Sequence, residues 1–256
     1  METIIVERAD GVVTVTLNRP EKLNAIDTVM WGELEETFRE VGNRAEDRVL
    51  VLTGAGRAFC SGADLTGMSR SDGHALIGMR RVGDTILALH HVAKPTIAKV
   101  NGVAAGAGCN LGLGCDLVVA SDEARFSEIF ARRGLTIDAG GSWLLPRLVG
   151  LHRAKELALL ADILSAEEAA AMGLVNRVVP ASELDAFVAD WAARLAAGPP
   201  LALSMTKTLL NAGLATSMTQ AVEAEAQAQS VNEGTEDARE AMMAFREKRD
   251  PVFKGC

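Results

Sequence analysis

A chain of 256 residues with 48% apolar and 23% charged side chains can bury a large core in one or two domains. Its 34 acidic against 26 basic residues leave a net charge of −8 with no continuous basic run, which argues against nucleic acid or an anionic membrane as partner and for a small molecule. No window approaches eighteen uninterrupted apolar residues, and the first residues carry no basic stretch leading into an apolar one, so no membrane span or export signal is expected and the cytoplasm is the expected compartment.

In chain order, Val13, Val15 and Leu17 alternate with Thr14 and Thr16, predicting a half-buried strand that ends at the turn Asn18-Arg19-Pro20. Asp27 is placed to cap a helix in which Met30, Leu34, Phe38 and Val41 recur at helical spacing. Arg48–Leu52 predicts a buried strand running into a first glycine-rich turn, Phe59-Cys60-Ser61-Gly62-Ala63-Asp64-Leu65. A helix is expected over about 74–92, Pro95 ends it, and Thr96–Val100 predicts a strand running into a second glycine-rich turn, Asn101 to Asn110. Each turn follows a strand and opens toward a helix, so each can aim free backbone N–H groups at a developing negative charge. After a short helix at about 107–114, Asp116–Ala120 predicts a third such strand, giving strand–turn–helix layers with weak internal similarity. From about 182 the strand signal stops, and Ala186–Ala197, Leu201–Ala212, Ser217–Val231 and Thr235–Lys248 read as successive helices.

The two glycine turns, the segment Asn18-Arg19-Pro20-Glu21-Lys22-Leu23-Asn24-Ala25 and the later Ala169-Ala170-Ala171-Met172-Gly173-Leu174-Val175-Asn176 resemble, in order and spacing, the crotonase family of enoyl-CoA hydratases and isomerases. The resemblance runs nearly end to end. It implies an α/β fold, a spiral of ββα turns over residues 1–195, and a helical trimerisation region over 196–256. It also implies a trimer or a hexamer built as a dimer of trimers, acting on an acyl-coenzyme A thioester. Coenzyme A is then part of the substrate, and no separate cofactor is called for.

Carried over position by position, the resemblance implies that the backbone N–H groups of Ala63 and Ala107 hold the thioester oxygen. Losing one such donor typically costs about 2.7–4 kcal/mol of barrier. It further implies that Lys22 lies near the pyrophosphate and that Ala25, Ser61, Asp64 and Leu65 belong to the segments facing the coenzyme. Phe245 and Lys248 match a pair that reaches the adenine and 3′-phosphate from a neighbouring subunit, and a lysine suits a phosphate as a compact charge. Read without the family, the same two residues are a core phenylalanine and a solvated lysine.

Hydration across a double bond needs two acids around one water. The family's two glutamate positions hold Asn110 and Phe130 here: the first can orient a water but not ionise, and the second can only wall the pocket. A helix over Ser127–Arg133 would turn Glu128 roughly 200° away from Phe130 and out of the site. Asp138, followed by Ala139-Gly140-Gly141-Ser142-Trp143, reads locally as a helix N-cap. The resemblance implies instead a single-acid isomerase, with Phe130, Leu135, Ile137 and Trp143 desolvating the aspartate and raising its pKa. Asp64 and Asp116 read as structural. His74, His90, His91 and His152 have no metal spacing, Ser61 and Ser142 have no histidine motif beside them, and Cys60, Cys109, Cys115 and Cys256 read as reduced thiols, so no metal site and no serine hydrolase is expected.

Overall fold

The computed structural model describes residues 1–67 and 74–256. Two strands, β1 (Ile4–Ala9) and β2 (Val12–Leu17), pair antiparallel through the two-residue turn Asp10-Gly11, whose φ angles of 51° and 78° are those of a tight hairpin turn with both central residues left-handed. Val13, Val15 and Leu17 face the core, as their alternation with threonine requires. The helix α1 (Thr28–Asn43) follows, capped by Asp27, whose side chain accepts from Met30 N at 2.9 Å.

Three ββα units come next: β3 (Val49–Gly54), β4 (Ala58–Cys60) and α2 (Ala75–His90); β5 (Thr96–Val100), β6 (Val103–Ala105) and α3 (Ala107–Leu113); and β7 (Leu117–Ser121), β8 (Arg125–Ser127) and α4 (Gly141–Val149). The first strand of each unit joins a six-stranded sheet and the second joins a smaller one, so the chain winds as a spiral between two sheets. The segment α5 (Leu151–Leu160), β9 (Leu164–Ser165), α6 (Ala166–Met172) and β10 (Arg177–Val179) completes both. The large sheet has the order β1-β2-β3-β5-β7-β10, all parallel after the first hairpin, and the small sheet has the order β4-β6-β8-β9. β3 is buried along its whole length because both faces are covered. Leu50 and Leu52 face the main core with Phe38 and Phe59, while Val49 and Val51 face α7 (Leu184–Ala196) through Leu184, Val188 and Ala192.

The final helices, α8 (Pro200–Gly213), α9 (Met218–Glu233) and α10 (Glu236–Glu247), differ in kind. α8 and α9 bury no side chain, and Leu201, Leu210, Met218, Val222 and Val231 stand exposed. Lys207 on α8 ties this part to the sheet through Asp116 at 2.8 Å, and Asp116 also accepts from Thr96 N and Oγ1. The observed architecture is thus the α/β spiral of ββα turns with a helical C-terminal part. Among the described residues no helix is long and apolar enough to cross a membrane.

Candidate active site

The first glycine turn is anchored to the segment that follows β2. Ser61 N donates to Leu23 O at 3.0 Å, and Ile26 N and Asp64 N–H pair with Gly62 O and the Ile26 carbonyl at 2.8 and 2.9 Å. These two bonds make Ile26 and Ala63 an isolated parallel bridge, a geometry that spends the groups flanking Ala63 and turns its own N–H away. Among the described residues that N–H has no partner, and Ala63 is exposed.

The second turn lies against the first. Gly62 has φ +105°, and a methyl group there would sit 2.9 Å from Ala105 O and 3.7 Å from Ala107 N, so the left-handed backbone and the absence of a side chain together let the turns touch. Gly108 is similarly constrained, because a Cβ on it would lie 2.5 Å from both the carbonyl oxygen and the Sγ of Cys60. Gly106 N is taken by Ser127 O at 2.8 Å, while Ala107 N, the next donor, has no partner among the described residues. The two turns therefore bring two unused backbone donors to one place.

Three polar side chains gather behind the second turn. Asn110, fully buried on α3, donates its Nδ2 to Glu128 Oε2 at 3.2 Å and to the Asp138 carbonyl at 3.0 Å. Asn110 Oδ1, Glu128 Oε1 and Asp138 Oδ1 are buried without a hydrogen-bond partner among the described residues. Burial pushes the Asp138 carboxyl up from 3.8 to about 6. It pushes Glu128 from 4.5 to about 7 against the lowering pull of Cys109 and Asn110, with the Asp138 charge adding to the rise.

Two expectations from the sequence are corrected here. Glu128 is not turned out of the site: Ser127 ends strand β8, Glu128 has φ −86° and ψ 60°, and the helical turn, a 3-10 turn, begins only at Ile129. The helical periodicity used to rotate it away does not apply across a strand end, and Glu128 is 3% exposed. Asp138 is not an N-cap either. Gly140, with φ +80°, occupies that position with no side-chain bond, and only the Asp138 backbone carbonyl accepts from Gly141 N, at 3.0 Å. Its carboxylate is left free for other work.

The other candidate residues fall in different surroundings. Phe130 is buried with its ring edge 3.6 Å from where a Gly106 Cβ would stand, so it walls the second turn. Lys22 is exposed in a 3-10 turn, its carbonyl accepting from Ser61 Oγ at 3.3 Å, and Ala25 is half-buried with its carbonyl held by Arg19 at 2.6 Å. The Asp64 carboxylate accepts from Thr66 Oγ1 and N and from Arg19 at 2.9 Å, which together hold it down at about 2. Leu65 is exposed at the edge of the described segment. Trp143 is partly exposed, edge-on to His90 with ring centres 5.3 Å apart and under the Arg147 guanidinium at 4.1 Å. Leu135 is exposed and Ile137 half-buried. Phe245, 86% exposed, and Lys248 lie at the end of α10 facing solvent. The cysteines are free thiols, with Cys60 and Cys115 raised to about 12 by burial.

Arg19 and Asn24 were not singled out from the sequence. Asn24, fully buried, accepts from Arg19 N at 3.0 Å and donates to Ala55 O and Ala58 O at 2.9 and 2.8 Å, locking the first turn to the segment after β2. The visible signal was the turn motif Asn18-Arg19-Pro20, without any hint of which carbonyls it would meet.

The profile of the enoyl-CoA hydratase/isomerase family matches residues 7–256. The chain belongs to the enoyl-CoA hydratase/isomerase family. Within it, the chain is 42% identical over 255 residues to a Rhodobacter capsulatus protein named "Probable enoyl-CoA hydratase", covering 99% of this chain and 98% of that protein. It is 39% identical over 262 residues to the 1,2-epoxyphenylacetyl-CoA isomerase of Escherichia coli, covering 100% and 99%. The crystal structure of enoyl-CoA hydratase from Bacillus anthracis superposes with a TM-score of 0.96 at 33% identity over the full length of both chains. Enoyl-CoA hydratase/isomerase relatives thus carry names of both reactions, so the acids and not the family decide between them.

Proposed function

We propose that this protein is an enoyl-CoA isomerase in which Asp138 moves one proton. The observation that carries the reading is the half-buried Asp138 side chain, its carboxyl raised to about 6 with Oδ1 buried and without a partner among the described residues, while Asn110, on the helix that begins at Ala107, holds its backbone carbonyl at 3.0 Å. In this reading Ala63 and Ala107 N–H hold the thioester oxygen. Ionised Asp138 takes the proton from the carbon beside the thioester of a 3-enoyl-CoA, and the C–H electron pair spreads into a dienolate. The same carboxyl then returns the proton two carbons away, giving the conjugated 2-enoyl-CoA. No bound water is consumed.

The coenzyme portion would lie along Lys22, Ala25, Ser61, Asp64 and Leu65, largely on backbone, with Phe130 and Trp143 bounding the acyl side. Phe245 and Lys248 would serve a neighbouring copy. The exposed apolar side chains of α8 and α9 support assembly of residues 196–256 into a trimer, or a hexamer of two trimers, around cores formed by residues 1–195. The cytoplasm is the proposed compartment.

A second reading, hydration of a 2-enoyl-CoA, is favoured by one observation: the Asn110 amide holds the Glu128 carboxyl and the Asp138 backbone carbonyl, bringing a second acid close enough for the Asp138 charge to raise Glu128, and hydration uses two acids. Purified protein assayed with 2-enoyl-CoA and 3-enoyl-CoA, alongside Asp138→Asn, separates these. Isomerisation that survives the substitution refutes the Asp138 mechanism, and rapid hydration of the 2-enoyl thioester establishes the second reading. Tight acyl-CoA binding without any turnover marks a non-catalytic acyl-CoA-binding protein.

A further inference from the structure

The double-bond shift proposed above uses one acid, yet a second one is buried beside it. Glu128 is 3% exposed, Oε2 accepts from Asn110 Nδ2 at 3.2 Å, and Oε1 has no partner among the described residues. The same Nδ2 donates to the Asp138 carbonyl at 3.0 Å, so one amide ties both acidic residues together. Asn110 Oδ1 and Asp138 Oδ1 are likewise buried acceptors that no donor among the described residues reaches. The titratable groups facing Glu128 are Cys109 on α3 and Asp138 on the loop before α4, and burial holds the Cys109 thiol well above its ordinary value and neutral. Among the described residues no arginine, lysine or histidine pairs with either carboxyl.

A buried carboxyl beside a half-buried one, with no cation among the described residues, cannot ionise together with it cheaply, because each charge is desolvated and repels the other. A proton on one of them removes the repulsion and supplies the donor that this cluster of acceptors lacks. The more deeply buried member keeps it. We propose that Glu128 is a positioning residue that carries the single proton the pair retains between its two ionisations, leaving Asp138 as the ionised member that meets the substrate. The inference rests on the reading of Asp138 as the base. During turnover Asp138 takes the substrate proton while Glu128 keeps its own, so the pair is neutral when the negative charge resides on the thioester oxygen.

Infrared spectroscopy of the whole protein tests where the proton sits, independently of turnover. Between the two titration midpoints, about 6 for Asp138 and about 7 for Glu128, wild type should show the C=O stretch of a buried protonated carboxyl. That band should persist in Asp138→Asn and be lost in Glu128→Gln. A band that instead persists in Glu128→Gln and is lost in Asp138→Asn, or is absent throughout, overturns the proposal.

The pH profile of kcat/KM for isomerisation is the second readout. Glu128→Gln mimics the protonated acid, so it should keep the lower ionisation and lose the upper one, while Glu128→Asp should restore two. Profiles of wild type and Glu128→Gln that superpose count against the proposal. If Glu128→Gln fails to fold, the spectrum of Asp138→Asn still decides, since it must retain the band. Undiminished isomerisation by Asp138→Asn with that band present would refute Asp138 as base while leaving the proton on Glu128.

Discussion

Asp138→Asn should remove activity and at the same time stabilise the fold above pH 6. The folded-state pKa of about 6 stands about two units above the ordinary 3.8, and each unit is worth 1.36 kcal/mol, so keeping this carboxylate ionised costs the folded state at most about 3 kcal/mol, and less as water screens the half-buried side chain. The sign follows from proton binding. Between about 4 and 6 the folded state holds a proton that the unfolded chain has lost, so the contribution of Asp138 is fully present below about 4 and disappears as pH rises through about 6. Asparagine carries no charge, and the backbone carbonyl that accepts from Asn110 and Gly141 is unchanged by the substitution. Urea unfolding of wild type and variant at about pH 5 and pH 8 is the assay, with activity measured as the conjugated thioester formed from 3-enoyl-CoA. The variant should gain up to about 3 kcal/mol on wild type at pH 8 and roughly half of that at pH 5, while isomerisation falls about 10²–10⁴-fold. Equal stability at both pH values, or a variant less stable at pH 8, would refute the picture of a desolvated and unpaired carboxylate.

Three further outcomes follow from the same geometry. Ala107→Pro deletes a donor at the first position of α3, where proline is tolerated, so melting temperature should hold while kcat drops about 10²–10³-fold. Gly108→Ala puts a methyl 2.5 Å from Cys60 O and Sγ, and denaturant unfolding should show a loss of about 1–3 kcal/mol together with reduced activity as α3 shifts. Asn24→Ala leaves the Ala55 and Ala58 carbonyls and the Arg19 N–H without their buried partner, and the same measurement should show a loss of about 3 kcal/mol. A loss below about 1 kcal/mol would mean that water replaces the amide.

What the amino-acid order determined by itself was the set of elements with a period of their own. The Val-Thr alternation of β2, the apolar runs of β3, β5 and β7, the Asp27 cap and the four C-terminal helices are local patterns, and each was found close to where its pattern predicted. β1 has a local signal too, the Asp10-Gly11 turn that pairs it with β2. The strands of the small sheet, two or three residues long, have too few positions to show a period, and their pairing is decided by partners far along the chain. The same limit governed the site. The glycine turns were legible because their backbone demands are local, but the fate of Glu128 depended on whether residues 127–128 end a strand or begin a helix. That choice is made by pairing of β8 with β6 and β9, which pins Ser127 opposite Ala105 and leaves the next side chain pointing at Asn110. Asp138 was recognisable as a carboxylate in a suitable motif. Only tertiary packing, which half-buries it and among the described residues brings it no cation, decided that it would be a raised acid with one buried oxygen unpartnered beside a second acid.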